Sequence, residues 1–258
     1  MTSKTTAAPL ALGRIRADIQ SMHAYAVQDA RGQIKLDAME NPYGLPPELQ
    51  SALGERLGAL ALNRYPGDRG TDLQRALAAH AAMPEGFALM LGNGSDELIS
   101  LLAIACDLPG AAIVAPVPGF VMYAMSAQLQ GLRFVGVPLT ADFELDEGAM
   151  LEAIAQEKPA IVYLAYPNNP TANLWDEAVI ERIAQAAPGL VVIDEAYQPF
   201  AARDAMGLMA RHPQVLIMRT MSKFGLAGVR IGYLMGHAEL IHHIDKLRPP
   251  YNLSLIHI

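Results

Sequence analysis

Short apolar runs alternate with amphipathic segments along most of the chain. Continuous apolar runs are typical of strands buried on both faces. Such runs occupy residues 88–91, 111–114, 133–138, 160–165, 190–194, 215–218 and 231–235. Segments with helical spacing lie among them, over residues 71–82, 97–106, 146–157 and 176–187. This alternation predicts an α/β protein of three layers, with a mainly parallel sheet between helices on both faces.

Sequence signals also predict where three of these helices begin. Thr71 and Gln74 have the spacing of a capping box, in which Thr71 would be the N-cap. Ser95, which follows two glycines, is a good N-cap residue. Asp146 is expected to cap the helix that extends to Glu157.

Composition narrows the class of protein further. With 258 residues, 52% of them apolar, the chain can bury one large core. A net charge of −7 argues against binding to nucleic acid or to an anionic membrane surface. No apolar run approaches the length of a membrane span. The single cysteine, Cys106, lies in an apolar run, so we expect a buried free thiol and a cytoplasmic location.

A lysine and an arginine follow one of the predicted strands. Lys223 comes shortly after the strand at residues 215–218, and Arg230 follows it after several small residues. Loss of hydration at such a position lowers the pKa of a lysine and produces a nucleophilic amine. A lysine in a surface loop is the ordinary alternative. Arg230 is suited to phosphate, because its guanidinium can donate two parallel hydrogen bonds.

Two further stretches place polar groups beyond strand ends. Asp194 ends a strand that should be buried, where an unpaired carboxylate is costly and a protonated ring nitrogen would hold it ionised. A structural cap is the alternative. The glycine-rich turn at residues 92–97 enters a helix whose free N–H groups can bind phosphate, although this pattern occurs in many α/β proteins. Because parallel strands bind ligands at their carboxyl ends, we expect these groups to meet.

Residues 222–230 closely resemble the lysine segment of pyridoxal-phosphate aminotransferases of fold type I. The resemblance implies that Lys223 bonds covalently to pyridoxal 5′-phosphate and that Asp194 pairs with the ring nitrogen. It implies catalytic or cofactor-binding roles for the remaining matched residues, which are Gly94, Ser95, Asp96, Phe120, Asn169, Tyr197, Ser222 and Arg230. Phe120 would stack on the ring, and Asn169 and Tyr197 would reach the ring oxygen. Ala172 replaces a glycine of the family, which a negative φ would tolerate.

Three shorter matches indicate one subgroup of these aminotransferases and a dimeric protein. Residues 40–44 resemble the entrance segment of histidinol-phosphate aminotransferases, which implies that Asn41 lies over the active site. Tyr25 matches a tyrosine that reaches the substrate phosphate. Residues 63–66 resemble a segment whose tyrosine contacts the partner's cofactor, which implies a homodimer with Tyr65 crossing the interface. A tyrosine that orders its own loop is the alternative for Tyr65.

These matches imply an activity, namely transamination between L-histidinol phosphate and 2-oxoglutarate in L-histidine biosynthesis. Aromatic aminotransferases and threonine-phosphate decarboxylases share the motifs and stay open as alternatives. So does a catalytically inactive cofactor-binding fragment. An ordinary nucleotide-binding domain would need a third glycine, which residues 92–97 lack.

The resemblance also divides the chain into segments. We expect an N-terminal arm and entrance segment over residues 1–40 and a cofactor-binding large domain over residues 41–250. Residues 251–258 would begin a linker to a small domain that is missing from this chain. The chain ends on mainly apolar residues, and its last four residues fit the family poorly, so a C-terminal truncation is the expectation.

Overall fold

The computed structural model describes residues 11–23, 29, 31–35, 38–65 and 70–249. Tyr25 and the predicted linker at residues 251–258 therefore lie outside the described residues. By its internal contacts the chain divides into two compact units, residues 1–39 and 40–258. The first contains the short helix α1 (Ala17–Ser21). Among the described residues, no helix is both long enough and apolar enough to cross a bilayer.

The second unit is built on a sheet of seven strands among the described residues. These are β1 (Phe87–Gly92), β2 (Ala112–Val117), β3 (Arg133–Pro138), β4 (Ile161–Ala165), β5 (Leu190–Asp194), β6 (Val215–Thr220) and β7 (Gly232–His237). Their spatial order is β1-β7-β6-β5-β4-β2-β3. β7 runs antiparallel to both of its neighbours, and the other pairs are parallel. The predicted mainly parallel α/β sheet is confirmed.

Helices cover both faces of this sheet. They are α3 (Thr71–His80), α4 (Ser95–Ala105), α5 (Met122–Gln130), α6 (Glu147–Glu157), α7 (Glu177–Ala186), α8 (Met206–Arg211) and α9 (Ala238–Asp245), whereas α2 (Pro47–Gly58), which precedes them in the chain, has no buried residue. One buried apolar cluster joins α4, α5 and α9 to one face of the sheet. A second cluster joins α3, α6, α7 and α8 to the other face. The fold therefore has the three layers that the alternating pattern predicted.

Position in the sheet explains why the strand sequences are continuously apolar. β4, β5 and β6 lie in its middle, and every residue of β4 and β6 is buried. A strand covered on both faces has no solvent side, so it does not alternate between apolar and polar residues. The edge strand β3 is less buried, since Arg133, Gly136 and Pro138 are exposed and only Val137 is buried.

The predicted helix starts are confirmed in one case and wrong in two. Asp146 is the N-cap of α6, and its carboxylate accepts a hydrogen bond of 3.0 Å from a backbone N–H of the first turn. Thr71 and Ser95, in contrast, are the first residues of their helices. Gly70 (φ 78) and Gly94 (φ 86) are the N-caps instead. Glycine reaches positive φ without a Cβ clash, so the backbone turn begins these helices without a capping side chain.

Cys106 is less buried than the sequence predicted. It follows the last residue of α4 and is only partly buried. It borders an open groove of about 830 Å³ at the amino ends of β2, β4 and β5. Burial nevertheless raises the pKa of the Cys106 thiol to about 11, so the group stays protonated at neutral pH.

Candidate active site

The predicted site segments meet at one edge of the sheet. β7 is antiparallel to both β1 and β6, so β1 runs in the same direction as the parallel strands. The carboxyl ends of β1, β2, β4, β5 and β6 therefore share an edge. The polar stretches follow these ends, at residues 92–97, 117–120, 166–171, 194–197 and 220–230. The topology therefore places these segments at one edge of the sheet, as the sequence predicted.

Asp194 is a buried carboxylate at the end of β5, with only 3% of its surface exposed. Its Oδ2 accepts a hydrogen bond of 2.7 Å from the Tyr123 hydroxyl, and its Oδ1 accepts one of 3.0 Å from the Ala196 N–H. Burial raises the pKa of Asp194 to about 6, and the bond from Tyr123 is the largest opposing effect. Both hydrogen-bond donors, within the described part of the chain, are neutral. The carboxylate can therefore receive a charged N–H donor.

Lys223 lies in a π-helical turn over Ser222–Leu226 that follows β6. The turn is interrupted at Gly225, whose φ of 130 is a value that glycine adopts readily and other residues rarely adopt. The lysine is half-buried, and its Nζ lies 5.6 Å from the centroid of the Tyr197 ring. Tyr197 follows Asp194 by three residues, so this contact brings the ends of β5 and β6 together.

Electrostatic effects on Lys223 partly cancel. Burial lowers the pKa of Lys223, and the positive charge of Arg230 adds to that effect. The carboxylates of Asp96, Glu40 and Asp194 act in the opposite direction. Lys223 in turn lowers the pKa of Asp194, and it follows β6, the neighbour of the strand that Asp194 ends. The net lowering makes the amine easier to deprotonate, as a nucleophilic lysine requires.

Arg230 and the start of α4 form a cationic pocket. The guanidinium Nη2 donates to the Asn93 carbonyl at 3.3 Å and lies 3.7 Å from a carboxylate oxygen of Asp96. A Cβ added at Gly94 would lie 2.3 Å from Nη2, so only glycine permits this approach. Ser95 follows at the helix N-terminus, where free N–H groups and the helix dipole favour an anion. The arrangement suits a phosphate group.

Two neighbouring residues support this pocket. A Cβ at Gly232 would lie 2.5 Å from the Gly94 carbonyl carbon and 2.6 Å from the Ser95 nitrogen, so β7 packs directly under the turn. Ser222 is buried, and its hydroxyl lies 2.9 Å from the Thr220 hydroxyl. The first contact fixes the start of β7 against the start of α4, and the second orders the turn that follows β6.

Phe120 and Asn169 lie on two loops that a buried asparagine joins. Asn168 donates through Nδ2 to the Pro118 carbonyl at 3.2 Å and to the Thr171 hydroxyl at 2.8 Å. Phe120 and Asn169 themselves are partly buried. We missed the roles of Asn168 and of the Tyr123 hydroxyl from the sequence. Paired asparagines in a proline-rich turn were the available signal for Asn168.

The prediction of a negative φ at Ala172 is wrong. Its φ is 63, not negative, and its N–H donates to the Asn168 carbonyl at 2.8 Å. A non-glycine residue in the left-handed region carries strain, because its Cβ crowds the following carbonyl oxygen. The turn keeps its shape at that cost.

The remaining predicted residues lie in different places. Asn41 donates through Nδ2 to the Phe224 carbonyl at 3.1 Å, which places it beside the segment of Lys223. Tyr65 is 74% exposed. Tyr197 is half-buried near the Asp194 carboxylate, and burial raises the pKa of its hydroxyl to about 12.

Comparison with known proteins defines the class of this chain. Residues 31–256 match the family described as aminotransferase class I and II, and the chain belongs to this family. It is 68% identical to the histidinol-phosphate aminotransferase of Polaromonas naphthalenivorans, over 94% of this chain and 67% of that protein. It is 66% identical to that of Paracidovorax citrulli, over 95% of this chain and 70% of that protein.

A solved structure supports the same fold. The histidinol-phosphate aminotransferase from Sinorhizobium meliloti, in complex with pyridoxal-5′-phosphate, superposes with a TM-score of 0.82 at 30% identity. The match covers 95% of this chain and 68% of that one. The resemblance to histidinol-phosphate aminotransferases is confirmed, and the chain spans about two thirds of the length of these relatives.

Proposed function

We propose that this protein is a pyridoxal-phosphate-dependent transaminase that transfers an amino group between L-histidinol phosphate and 2-oxoglutarate. The products would be imidazole acetol phosphate and L-glutamate, in L-histidine biosynthesis. The relatives at 66–68% identity carry the name histidinol-phosphate aminotransferase. The observation that carries the proposal is that the buried acid Asp194 ends β5 and the half-buried amine Lys223 follows the neighbouring parallel strand β6, at one sheet edge.

The donors at this edge fit the chemical groups of the cofactor. Arg230, Ser222 and the N–H groups at Gly94–Asp96 would hold the phosphate. Asp194 would accept a hydrogen bond from the protonated ring nitrogen, since its observed donors leave lone pairs free. Phe120 would lie against the ring, and Asn169 and Tyr197 would donate to the ring oxygen. The ion pair of Asp96 with Arg230 holds the guanidinium beside the helix N-terminus.

Lys223 would act both as the covalent anchor and as the acid/base of the reaction. When bound, the cofactor supplies an electron sink for the negative charge that develops at the substrate Cα. The Nζ of Lys223, once released by the substrate amine, would remove the proton from the substrate Cα. Asp194 would stay ionised and keep the ring nitrogen protonated. The lowered pKa of Lys223 makes the neutral amine, which is the form that accepts this proton, easier to reach.

The substrate end of the site would involve Asn41 and Tyr25. Asn41 is hydrogen-bonded to the carbonyl of Phe224, the residue after Lys223, so Asn41 would border the substrate. Tyr25 lies outside the described residues and is proposed to reach the substrate phosphate on the strength of the resemblance alone. We further infer a homodimer in which the exposed Tyr65 contacts the partner's cofactor.

We also propose the division of the chain that the resemblance implied. Residues 41–250 would form the cofactor-binding domain, with residues 1–40 as the arm and entrance segment. Residues 251–258 would lead to a further small domain carrying substrate contacts.

Substrate specificity can be tested by comparing amino donors directly. The full-length protein should convert L-histidinol phosphate with 2-oxoglutarate at a kcat/KM at least about a hundredfold above that for phenylalanine, because the phosphate adds charge-assisted bonds. Threonine phosphate should yield no carbon dioxide. Preference for phenylalanine, or decarboxylation of threonine phosphate, would contradict the proposed substrate and leave the cofactor assignment standing. Cofactor binding with no turnover of any donor would indicate an inactive protein.

A further inference from the structure

The Tyr123 hydroxyl makes a buried hydrogen bond that links α5 to the end of β5. It donates to Asp194 Oδ2 at 2.7 Å, and both residues are at least 97% buried. Water cannot replace this donor at such a depth. An unmade hydrogen bond to a buried charge is costly, so the bond matters most when Asp194 is ionised.

The Tyr123 ring is held in place by two aromatic contacts. It stacks on Tyr163, with centroids 4.3 Å apart and planes within 4° of parallel. It meets Phe120 edge to face, with centroids 5.6 Å apart and planes at 86°. A ring fixed on two sides cannot swing its hydroxyl away from Asp194. Tyr123 thus touches both the acid and the aromatic ring that the proposed function assigns to the cofactor.

The charged and titratable groups around Asp194 do not replace this bond. Lys223 lowers the pKa of Asp194, whereas Asp96 raises it. Asp194 in turn raises the pKa of the phenols of Tyr123, Tyr163 and Tyr197. After burial, which acts most strongly, the Tyr123 bond is the largest influence on Asp194 and favours the ionised form.

We propose that Tyr123 is a positioning residue for the cofactor ring. Its hydroxyl keeps Asp194 ionised and orients the carboxylate toward the ring nitrogen, and its perpendicular contact with Phe120 sets the angle of that ring. This role rests on the proposed function, because it requires the cofactor to lie between Asp194 and Phe120. It gives Tyr123 a function at the active site without contact with the substrate.

Tyr163 provides a matched control for a test of this role. Its ring is the other half of the stacked pair, yet its buried hydroxyl has no hydrogen-bond partner among the described residues. Tyr123→Phe and Tyr163→Phe therefore remove the same atom from adjacent rings. Only the first removes a bond to Asp194.

The measurement is the dissociation constant of pyridoxal phosphate from the cofactor-free enzyme, titrated across about pH 5.5 to 8. Tyr123→Phe should weaken binding about tenfold near neutral pH, since a bond to a charged acceptor is lost. The pH below which binding declines should rise by about one unit, because Asp194 protonates more readily. Tyr163→Phe should stay within about twofold of the unmodified enzyme at every pH.

Each outcome bears on a different claim. If Tyr123→Phe matches Tyr163→Phe in both affinity and pH profile, Tyr123 does not position the cofactor. This holds even if the variant unfolds at a lower temperature, since that change reports structure alone. If the unmodified enzyme fails to bind pyridoxal phosphate, the proposed function fails and the role of Tyr123 fails with it.

Discussion

Asp194 places a charge where the fold would be more stable without one. The carboxylate is 3% exposed and receives hydrogen bonds from Tyr123 and Ala196. These bonds do not compensate fully for lost hydration, since the pKa of Asp194 stays raised at about 6. Functional sites commonly carry such a cost. At this residue, stability and the proposed activity therefore make opposite demands.

The loss of stability caused by the buried charge of Asp194 can be measured with the Asp194→Asn variant of the cofactor-free protein. The folded pKa of about 6 lies above the ordinary value of 3.8 for an aspartate, so the folded state retains the proton between about pH 4 and 6. Stability due to this group is present below about pH 4 and is lost as the pH rises through about 6. The Asn variant should lack that loss and be roughly 2 kcal/mol more stable near pH 7.

Urea unfolding of both proteins at several pH values checks this prediction. The difference between their free energies of unfolding should grow from about pH 4 to 7 in favour of the variant. A difference that is constant with pH would show that Asp194 does not titrate in this range. The same variant should bind pyridoxal phosphate more weakly than the unmodified enzyme, because the ring nitrogen loses its charged partner.

Ala172 carries a smaller cost in the backbone. At a φ of 63 its Cβ is strained, so Ala172→Gly should raise the free energy of unfolding by about 1 kcal/mol. Ala201, which has a φ of −93, is a matched control. Ala201→Gly should lower stability by up to about 1 kcal/mol, because glycine gains freedom in the unfolded chain. Effects of the same sign at both positions would rule out backbone strain at Ala172.

At the scale of elements, the pocket for phosphate depends on close packing between β7 and the turn before α4. Gly232 permits this packing, since a Cβ there would lie within 2.6 Å of two backbone atoms of that turn. Gly228 lies nearby in the sequence, and a Cβ there would meet nothing within 4 Å. The pair separates the effect of the pocket from that of a lost glycine.

Gly232→Ala should displace the turn and weaken binding of pyridoxal phosphate by tenfold or more, about 1.4 kcal/mol. Binding of pyridoxal, which lacks the phosphate, should change little, because only the phosphate would contact the turn. Gly228→Ala should leave both affinities within about twofold. Equal losses for the two ligands would indicate general damage to the fold.

The sequence predicts the elements better than the contacts between them. The strand at Arg133–Pro138 and the capped start of α6 match the expectation, because apolar runs and capping residues are local signals. The helix starts at Thr71 and Ser95 were misassigned by one residue, since the preceding glycine acts through its backbone. Capping preferences describe side chains and contain no information about such turns.

Contacts across the sheet could not be predicted in the same way. Tyr123 and Asp194 are separated by 71 residues, and their hydrogen bond depends on how α5 packs over the sheet. No local pattern encodes that packing. The position of Lys223 and Asp194 at the same edge of the sheet was predictable, because parallel strands present their carboxyl ends at one edge.

At the scale of the whole molecule, exposed apolar side chains near the entrance segment suggest a partner. Tyr43 is 81% exposed, Leu62 67% and Tyr65 74%. Residues with large exposed apolar side chains are enriched at interfaces between subunits. Most oligomers are symmetric, so a second copy of this chain is the expected partner.

Hybrid dimers test whether Tyr65 acts across that interface. Lys223→Ala and Tyr65→Ala should each be nearly inactive alone. Mixing and reassembling them should restore about a quarter of the unmodified activity, since each hybrid dimer contains one intact site. If Tyr65 serves its own subunit, mixing restores nothing, because the site with the lysine lacks the tyrosine.

The central claim is that Lys223 holds pyridoxal phosphate covalently while Asp194 faces the ring nitrogen. Reduction of the cofactor-loaded enzyme with borohydride, followed by peptide mass analysis, tests it most directly. The account predicts one pyridoxyl group on the peptide containing Lys223, and none on Lys246 or in the Lys223→Ala variant. A pyridoxyl group on another lysine, or one that persists in Lys223→Ala, would contradict the account.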